Sequence, residues 1–547
     1  MSGVFGNPWL YNADDSFYPE TIDQSLRFND GDSPALSKAY SVAQTNTKKL
    51  TISVWLKRGN LGIRSTILFA ISGSAGKLSF QTTDKIYFNA FNTGYNGFES
   101  NEVFRDTSSW FHIVAQADSA DQTGANLNRV YVNGVELSNS KTSAFPPDDT
   151  ATMLLRNGVT TYIGDDTAGA YHFDGYLAEL NVIDGSIVAP TEFAETKDNI
   201  WIPKSYSGSY GDNGFRLDFA DSSAIGNDVS GQNNDYTVSG GGSPTLVASD
   251  VVPDSPTNNF AVGNPLSSTS NNTFAEGNLK VTGSGVNYYN YLSSMGMETG
   301  GKYYFEVYSN ARYASYAAIG ICKPSSFTHT MSVYNTAGVM AYVQGQYVKY
   351  LNTTIGSTPN LYNNNPYLFS FAIDLDNNIF HFRTDGGSWE NSGDPAGGTG
   401  GFAIAAAMQG ETLMPFFGPN GANYQILNFG QDSTFAGTTT AGGNSDANGI
   451  GDFKYPVPAG FLSLCSASLP TPTIVDGSEH FVPYLYTADN TSPKSRTGLG
   501  FTPDFLWFKD RTTAFSNGLY DTVRGPNKQL QTNNKNADIS STGEQKL

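Results

Sequence analysis

Cysteine, histidine and charge are all scarce in this chain. Of 547 residues, two are cysteine (Cys322 and Cys465), five are histidine (His112, His172, His329, His381 and His480), and 15% are charged. Two cysteines cannot frame a secreted disulfide scaffold. Both sit in strand-like apolar runs (Ile319–Cys322 and Phe461–Cys465), so buried free thiols are expected, with one long-range disulfide as the alternative. Neither has the neighbours that activate a thiol. No His-Glu-x-x-His or Cys-x-x-Cys pair is present for zinc, no Gly-x-Ser-x-Gly elbow, and no phosphate-binding Gly-x-x-x-x-Gly-Lys-Ser/Thr loop. No catalytic, cofactor-binding or metal-ligating residue is therefore assigned. Basic residues are few as well: 31 Lys and Arg stand against 50 Asp and Glu, a net charge of −19. Such a chain repels phosphate backbones and anionic membranes, so no nucleic-acid partner is expected. No apolar run approaches the ~20 residues of a spanning helix, so no membrane insertion is expected either. The start, Met1–Leu10, lacks the basic head and apolar core of a signal peptide, which implies synthesis in the cytoplasm without Sec export. Sustained apolar heptads are missing too, which argues against a coiled-coil shaft.

Aromatic and turn-forming residues are abundant: 35 Phe, 31 Tyr, 58 Gly and 25 Pro. Many short strands joined by turns follow, hence an all-β chain of about three or four units at ~100–200 residues each. Residues 1–25 (Phe5, Trp9, Leu10, Tyr11, Phe17, Tyr18) form an aromatic segment expected to dock on the first domain. Over residues 26–205, Leu50–Lys57 alternates, with Leu50, Ile52, Val54 and Leu56 on one face and Trp55 on the other. Phe111–Ala115 repeats the period, Arg129–Leu137 reads as a hairpin turning at Asn133-Gly134, and Tyr176, Ala178, Leu180 and Val182 are expected on one face of a strand. Only Ala189–Thr196 reads as a short helix. Residues 206–265 are a Gly/Ser/Asn/Pro-rich connector with a pliant Ser239–Ser243 and an embedded strand, Gly214–Phe219, expected to pack on the first sandwich. Within it Val252–Leu266 concentrates Pro, Asp, Ser, Asn and Gly, so it reads as a joint that no regular element crosses. Alternation resumes over 266–466 (Lys302–Tyr308, Tyr316–Ile321, Val339–Val343, Tyr367–Asp376, Ile379–Arg383, Met414–Phe417). Residues 467–547 read as a further β unit that looks incomplete.

Ser108–Ala115, the Val132-Asn133-Gly134 hairpin, Tyr162–Asp165 and Phe173–Leu180 occur in an order that resembles the concanavalin-like or laminin-G-like jelly roll. The order in 266–466 of a tyrosine-rich strand, an Ile319-Gly320-Ile321 strand, an aspartate-bearing hairpin and Pro415-Phe416-Phe417 resembles a SPRY domain, another β-sandwich. The whole series resembles large virion proteins of tailed bacteriophages. It runs through Met1–Gly6, Ser25–Phe28, Trp201–Lys204, Gly208–Gly211, Asn213–Phe219, Ser230–Asp235, Asp254–Ala261, Asn264–Leu266, Trp389–Gly400 and Pro458–Ile474. That resemblance implies a tail-fibre or tail-tip component of the virion, a homo-oligomer (a trimer by preference) with other tail proteins and a host-surface glycan or protein as partners. Its alternatives are a polysaccharide depolymerase or soluble carbohydrate-binding protein, and a capsid-bound fibre or decoration protein.

Glycoside hydrolysis needs two carboxylates across a sugar bond; the candidates, Glu179 and Glu306, each stand alone on a strand. Asp374-Leu-Asp-Asn-Asn378 places oxygen side chains at alternate positions, but Ile379 and Asp385 occupy places where a calcium loop has Gly and Glu, so a self-capped hairpin turn is the preferred reading. The laminin-G-like resemblance makes Asp165-Asp166 a rim candidate for calcium, the one ion left open. His112 and His381 lie inside strands and read as packed groups. Tyr95 and Tyr171, in turns, are candidate sugar-stacking rings, although single surface aromatics are ordinary.

Overall fold

The computed structural model describes residues 17–71, 75–91, 97–121, 127–139, 150–166, 171–240, 246–284, 289–310, 318–329, 337–343, 347–357, 367–470, 474, 477–487, 495, 497–525 and 528–540. Strands and short 3-10 turns are the only regular elements among them. No helix there is long and apolar enough to cross a membrane. The chain divides into two compact units: residues 1–196 with 200–471, and 472–547 with 197–199.

The first unit holds two sandwiches, as the alternation predicts. In the first, an eight-stranded sheet orders Val135–Glu136, Asn128–Val132, Phe111–Asp118, Lys49–Arg58, Gly175–Asp184, Ser25–Phe28 and Val251–Val252, with Phe215–Leu217 beside Gly175–Asp184. It faces a seven-stranded sheet running from Thr237–Gly240 through Pro34–Ala39, Thr160–Ile163, Ser65–Ile71, Ala75–Phe80 and Ile86–Asn89 to Phe98–Glu99. Leu50, Ile52, Val54 and Leu56 enter the core between the sheets, and Trp55 faces outward into a second cluster, as period-two alternation requires. Asn133 and Gly134 take φ of 47° and 76°, the left-handed pair of a type I′ turn.

The connector is a working part of this sandwich. Phe215–Leu217 pairs with Gly175–Asp184, Thr237–Gly240 with Pro34–Ala39, and Val251–Val252 with Ser25–Phe28. Sheet edges and ladder hydrogen bonds outweigh the turn-rich composition; Gly241–Ser243 lie outside the described residues. Two expectations fail for local reasons. Ala189–Thr196 forms one 3-10 turn, Pro190–Glu192, and then a strand, which carries Phe193 onto the outer face of the larger sheet. Tyr176 and Ala178 do not share a face with Leu180 and Val182: the pairing register shifts between Ala178 and Asn181, where Glu179 takes φ 47°. One extra residue in a strand reverses the side on which every later side chain emerges. Tyr176 and Ala178 therefore face outward, and Leu180 and Val182 inward.

In the second sandwich an eight-stranded sheet orders Asn272–Ala275, Lys280–Gly283, Tyr424–Asn428, Lys302–Ser309, Tyr367–Asp374, Ile379–Thr384 and Phe402–Ala403, with Leu462–Ser463 joining Lys302–Ser309 in parallel. The facing six-stranded sheet runs Tyr291–Leu292, Met414–Gly418, Ala318–Cys322, Val339–Val343, Tyr347–Tyr350 and Thr353–Ser357. Tyr303, Phe305, Val307, Phe371 and Phe417 meet in the core between them.

In the second unit, strands Phe505–Phe508, Gly518–Asp521, Lys528–Gln531 and Ile539–Ser540 form one antiparallel sheet in that order.

Candidate functional site

Val252–Leu266 is the structural centre of the first unit. Lys57, on the larger sheet of the first sandwich, is fully buried, and its Nζ donates to Asp254 Oδ2, Asn259 Oδ1 and the Phe260 carbonyl, each at 2.8 Å. Burial pushes the Lys57 pKa down while Asp254 pulls against it. The other oxygen of Asp254 accepts from Trp110 Nε1 at 2.9 Å. Asn259 donates its side-chain N–H to the Ser108 carbonyl and its backbone N–H to Ser466 Oγ. Ala261 packs in the core of the second sandwich. Beside this strap, buried Arg27 donates to Asp432 at 2.9 Å and Asp250 at 3.1 Å and lies 3.6 Å from Glu276. Burial disfavours the Arg27 charge, but Asp432, Glu276 and Asp250 overcome it and raise its pKa. Tyr176 OH donates to the Gly277 carbonyl, and Gly277, at φ +60°, has no room for a Cβ, which would meet the Tyr176 ring at 2.5 Å. These bonds fasten one sandwich to the other.

The acidic candidates are occupied. Glu179 is gripped by Arg216 through two bonds of 2.8 and 2.9 Å, with burial raising its pKa against that pull. Glu20 is also near Arg216, at 3.9 Å, and lines the same narrow cleft as Glu179, with Trp55 and Lys204. That cleft encloses about 10 Å³, room for roughly one water and no sugar. Glu306 is buried and accepts from Tyr304 OH, Asn428 Nδ2 and the backbone N–H groups of Lys454 and Tyr455, so it anchors the 454–455 chain. Asp374 accepts from the N–H and Nδ2 of Asn377, both at 2.9 Å, and pairs with Lys302 at 3.0 Å, the self-capped turn that closes Tyr367–Thr384. Asp165 Oδ1 accepts the Asp166 N–H at 2.6 Å and lies 3.1 Å from His172 Nδ1. Among the described residues no three His, Cys, Asp or Glu side chains group as metal ligands would.

His112 lies stacked between Trp55 (4.9 Å between centroids) and Trp201 (6.2 Å). Trp201 Nε1 donates to its Nδ1, which leaves Nε2 carrying the proton toward Ser53 Oγ at 2.8 Å. Burial drives its pKa down to about 3, so the ring is neutral. Cys322 and Cys465 are buried and free, and burial raises both thiols, Cys465 to about 12. The Tyr171 ring is covered by the Arg64 guanidinium at 4.6 Å, and Tyr95 lies outside the described residues.

An open cleft remains that the sequence does not signal. About 450 Å³ in volume, it is lined by Ser222–Asn227, Asp235–Val238 and Leu246–Ala248, all within the connector. Buried Ile225, Tyr236 and Leu246 make an apolar floor, and the hydroxyls of Ser222, Ser223 and Thr237, the Asn227 amide and Asp235 stand on the rim. Its volume falls in the small-ligand range of ~300–1,000 Å³. Among the described residues no Lys or Arg lines it, and Asp235 is the charged group on its rim.

Fold and site together define a tandem β-sandwich scaffold, its sandwiches fused by buried polar bonds. A family model described as the concanavalin A-like lectin/glucanases superfamily matches residues 29–191, and a domain of unknown function matches residues 476–547. No curated protein matches the chain. Among solved structures, the TRIM65 PSpry domain is 13% identical over 31% of this chain and 91% of its own, with a TM-score of 0.25. A native heptameric SAP-like pentraxin from Limulus polyphemus is 14% identical over 30% of this chain and 78% of its own, TM-score 0.24. A putative carbohydrate binding protein from Bacteroides ovatus is 15% identical over 41% of this chain and 59% of its own, TM-score 0.29.

Proposed function

We propose that this chain is a non-enzymatic glycan-binding protein of a tailed-bacteriophage particle, a tail-fibre or tail-tip component that holds two fused sandwiches against a host-surface polysaccharide. The observation that carries the binding half of this reading is the state of the acidic candidates. On a sandwich whose residues 29–191 match a lectin and glucanase superfamily, Glu179 is locked by Arg216, and in the neighbouring sandwich Glu306 is saturated by four donors. Neither carboxylate is free to move a proton onto a leaving oxygen, as hydrolysis requires. The open cleft at 222–248 supplies a place for a neutral sugar, and repeated copies would multiply a weak contact. The virion half rests on the motif series from Met1–Gly6 to Pro458–Ile474.

Two measurements test it. On an array of bacterial surface glycans the purified chain binds a neutral polysaccharide, and Ala224→Trp, which fills the cleft from its exposed rim, lowers that binding at least ~10-fold, the equivalent of ~1.4 kcal/mol. Equal binding by the variant excludes the cleft. Mass spectrometry of purified particles detects the chain in tails; its absence from particles overturns the virion assignment.

A further inference from the structure

Among the described residues Lys57 is the only buried lysine, and its side chain and that of Asp254 are fully enclosed. Its Nζ lies 2.8 Å from Asp254 Oδ2 and 2.8 Å from Asn259 Oδ1, which brings an amine, a carboxylate and a carboxamide together. Asn259 is buried as well, and its Nδ2 donates to the Ser108 carbonyl at 2.8 Å, which fixes the amide plane. Trp110 and Tyr176, members of one apolar cluster, border the trio. Trp110 Nε1 donates to Asp254 Oδ1, and the centre of the Tyr176 ring is 5.5 Å from Lys57 Nζ. With Oδ1 accepting at 2.8 Å, carbonyl geometry puts Asn259 Cγ roughly 3.5 Å from Nζ, the spacing of a near-attack pair. Enclosure also favours an uncharged amine: burial lowers the Lys57 pKa, with Asp254 opposing it. A desolvated lysine is a nucleophile, and a neighbouring carboxylate can move its protons.

We propose that Lys57, Asp254 and Asn259 are a self-modification site, at which Lys57 Nζ condenses with the Asn259 carboxamide to form an intramolecular isopeptide bond. Before the step the Lys57 ammonium holds the strap through its three hydrogen bonds. Asp254 Oδ2 takes one proton from that ammonium, leaving an amine and an uncharged carboxyl. Rotation about Cε–Nζ turns the lone pair onto Asn259 Cγ, and a carbon–nitrogen bond forms. Asp254 then passes a proton to Asn259 Nδ2 and collects one from Nζ, and the Cγ–Nδ2 bond breaks. Ammonia leaves and takes the remaining proton as ammonium, so Asp254 ends ionised. Nothing is oxidised or reduced. Asp254 is the proton carrier and not the electrophile, because an ionised carboxylate resists attack and its other oxygen is held by Trp110 Nε1. The product ties Lys49–Arg58 of the first sandwich covalently to the strap, one residue before Phe260 and two before Ala261, which packs in the second. It does not depend on the glycan-binding reading.

Trypsin digestion of the denatured full chain, read by mass spectrometry, tests the inference. The expected result is one branched species joining residues 50–58 to 217–280, lighter than the two peptides together by one ammonia, with no cleavage after Lys57. Fragmentation places the branch at Asn259. Asp254→Asn, shown to be folded by a cooperative urea transition, yields the two linear peptides instead. Two linear peptides from the wild-type chain overturn the proposal whatever the variant does. A branch lighter by one water overturns the role of Asn259, because the bond then lies at Asp254. Loss of ammonia without a branch, as from a cyclised asparagine elsewhere, overturns it too, and a branch that persists in Asp254→Asn overturns the role given to that carboxylate.

Discussion

Among the described residues the His112 ring meets Ser53, Trp55, Phe193 and Trp201. Unfolded, the imidazole titrates near 6.5; folded, at about 3. Between those values the unfolded chain holds the extra proton. The contribution of His112 is therefore complete above pH 6.5 and is lost as pH falls toward 3, at about 1.4 kcal/mol per unit. His112→Phe keeps an aromatic ring in the stack and removes the titration. Urea unfolding between about pH 6 and pH 4 shows a slope shallower than wild type by roughly 1 kcal/mol per unit; equal slopes for the two proteins contradict a buried neutral ring. The neutrality of His112 is legible in part from the sequence, which places it in a strand between apolar residues. The stack is not, because Trp201 lies 89 residues away. The same limit hides the bulge at Glu179: a period-two pattern continues through it, and only Arg216, arriving from the connector, holds that carboxylate in its turn.

At the scale of elements, the segment Val252–Leu266 shows why composition misleads. Its Pro, Asp, Ser and Asn content reads correctly as an irregular stretch, and between Val252 and Pro265 the structure has only isolated bridges. What composition cannot show is that its polar side chains bond to buried partners in both sandwiches rather than to water. Lys57 closes the alternating run Leu50–Lys57, and its ammonium is the cation that holds the strap. Removing one member of a buried pair strands the other, at about 3–5 kcal/mol. Lys57→Met accordingly lowers the unfolding free energy by that amount, measured by urea denaturation, whereas Lys57→Met/Asp254→Asn recovers part of the loss because no unpaired charge remains. A double variant no more stable than the single one contradicts a coupled pair. The core-facing alternation in Lys49–Arg58, Phe111–Asp118 and Lys302–Ser309 was legible because each of these strands runs without a bulge. The cleft at 222–248 was not, since its lining residues are ordinary turn formers given a floor only by Ile225, Tyr236 and Leu246.

The molecule as a whole carries its net charge of −19 on residues 1–471, the two sandwiches joined by buried polar bonds, while residues 472–547 hold eight Lys and Arg against eight Asp and Glu. The decisive measurement incubates the purified chain with the polysaccharide selected on the glycan array and follows retention and new reducing ends in the same tube. Saturable retention with no increase in reducing ends is the predicted result. Reducing ends that accumulate with time, and are lost in Glu179→Gln, would contradict a binding protein and establish a depolymerase.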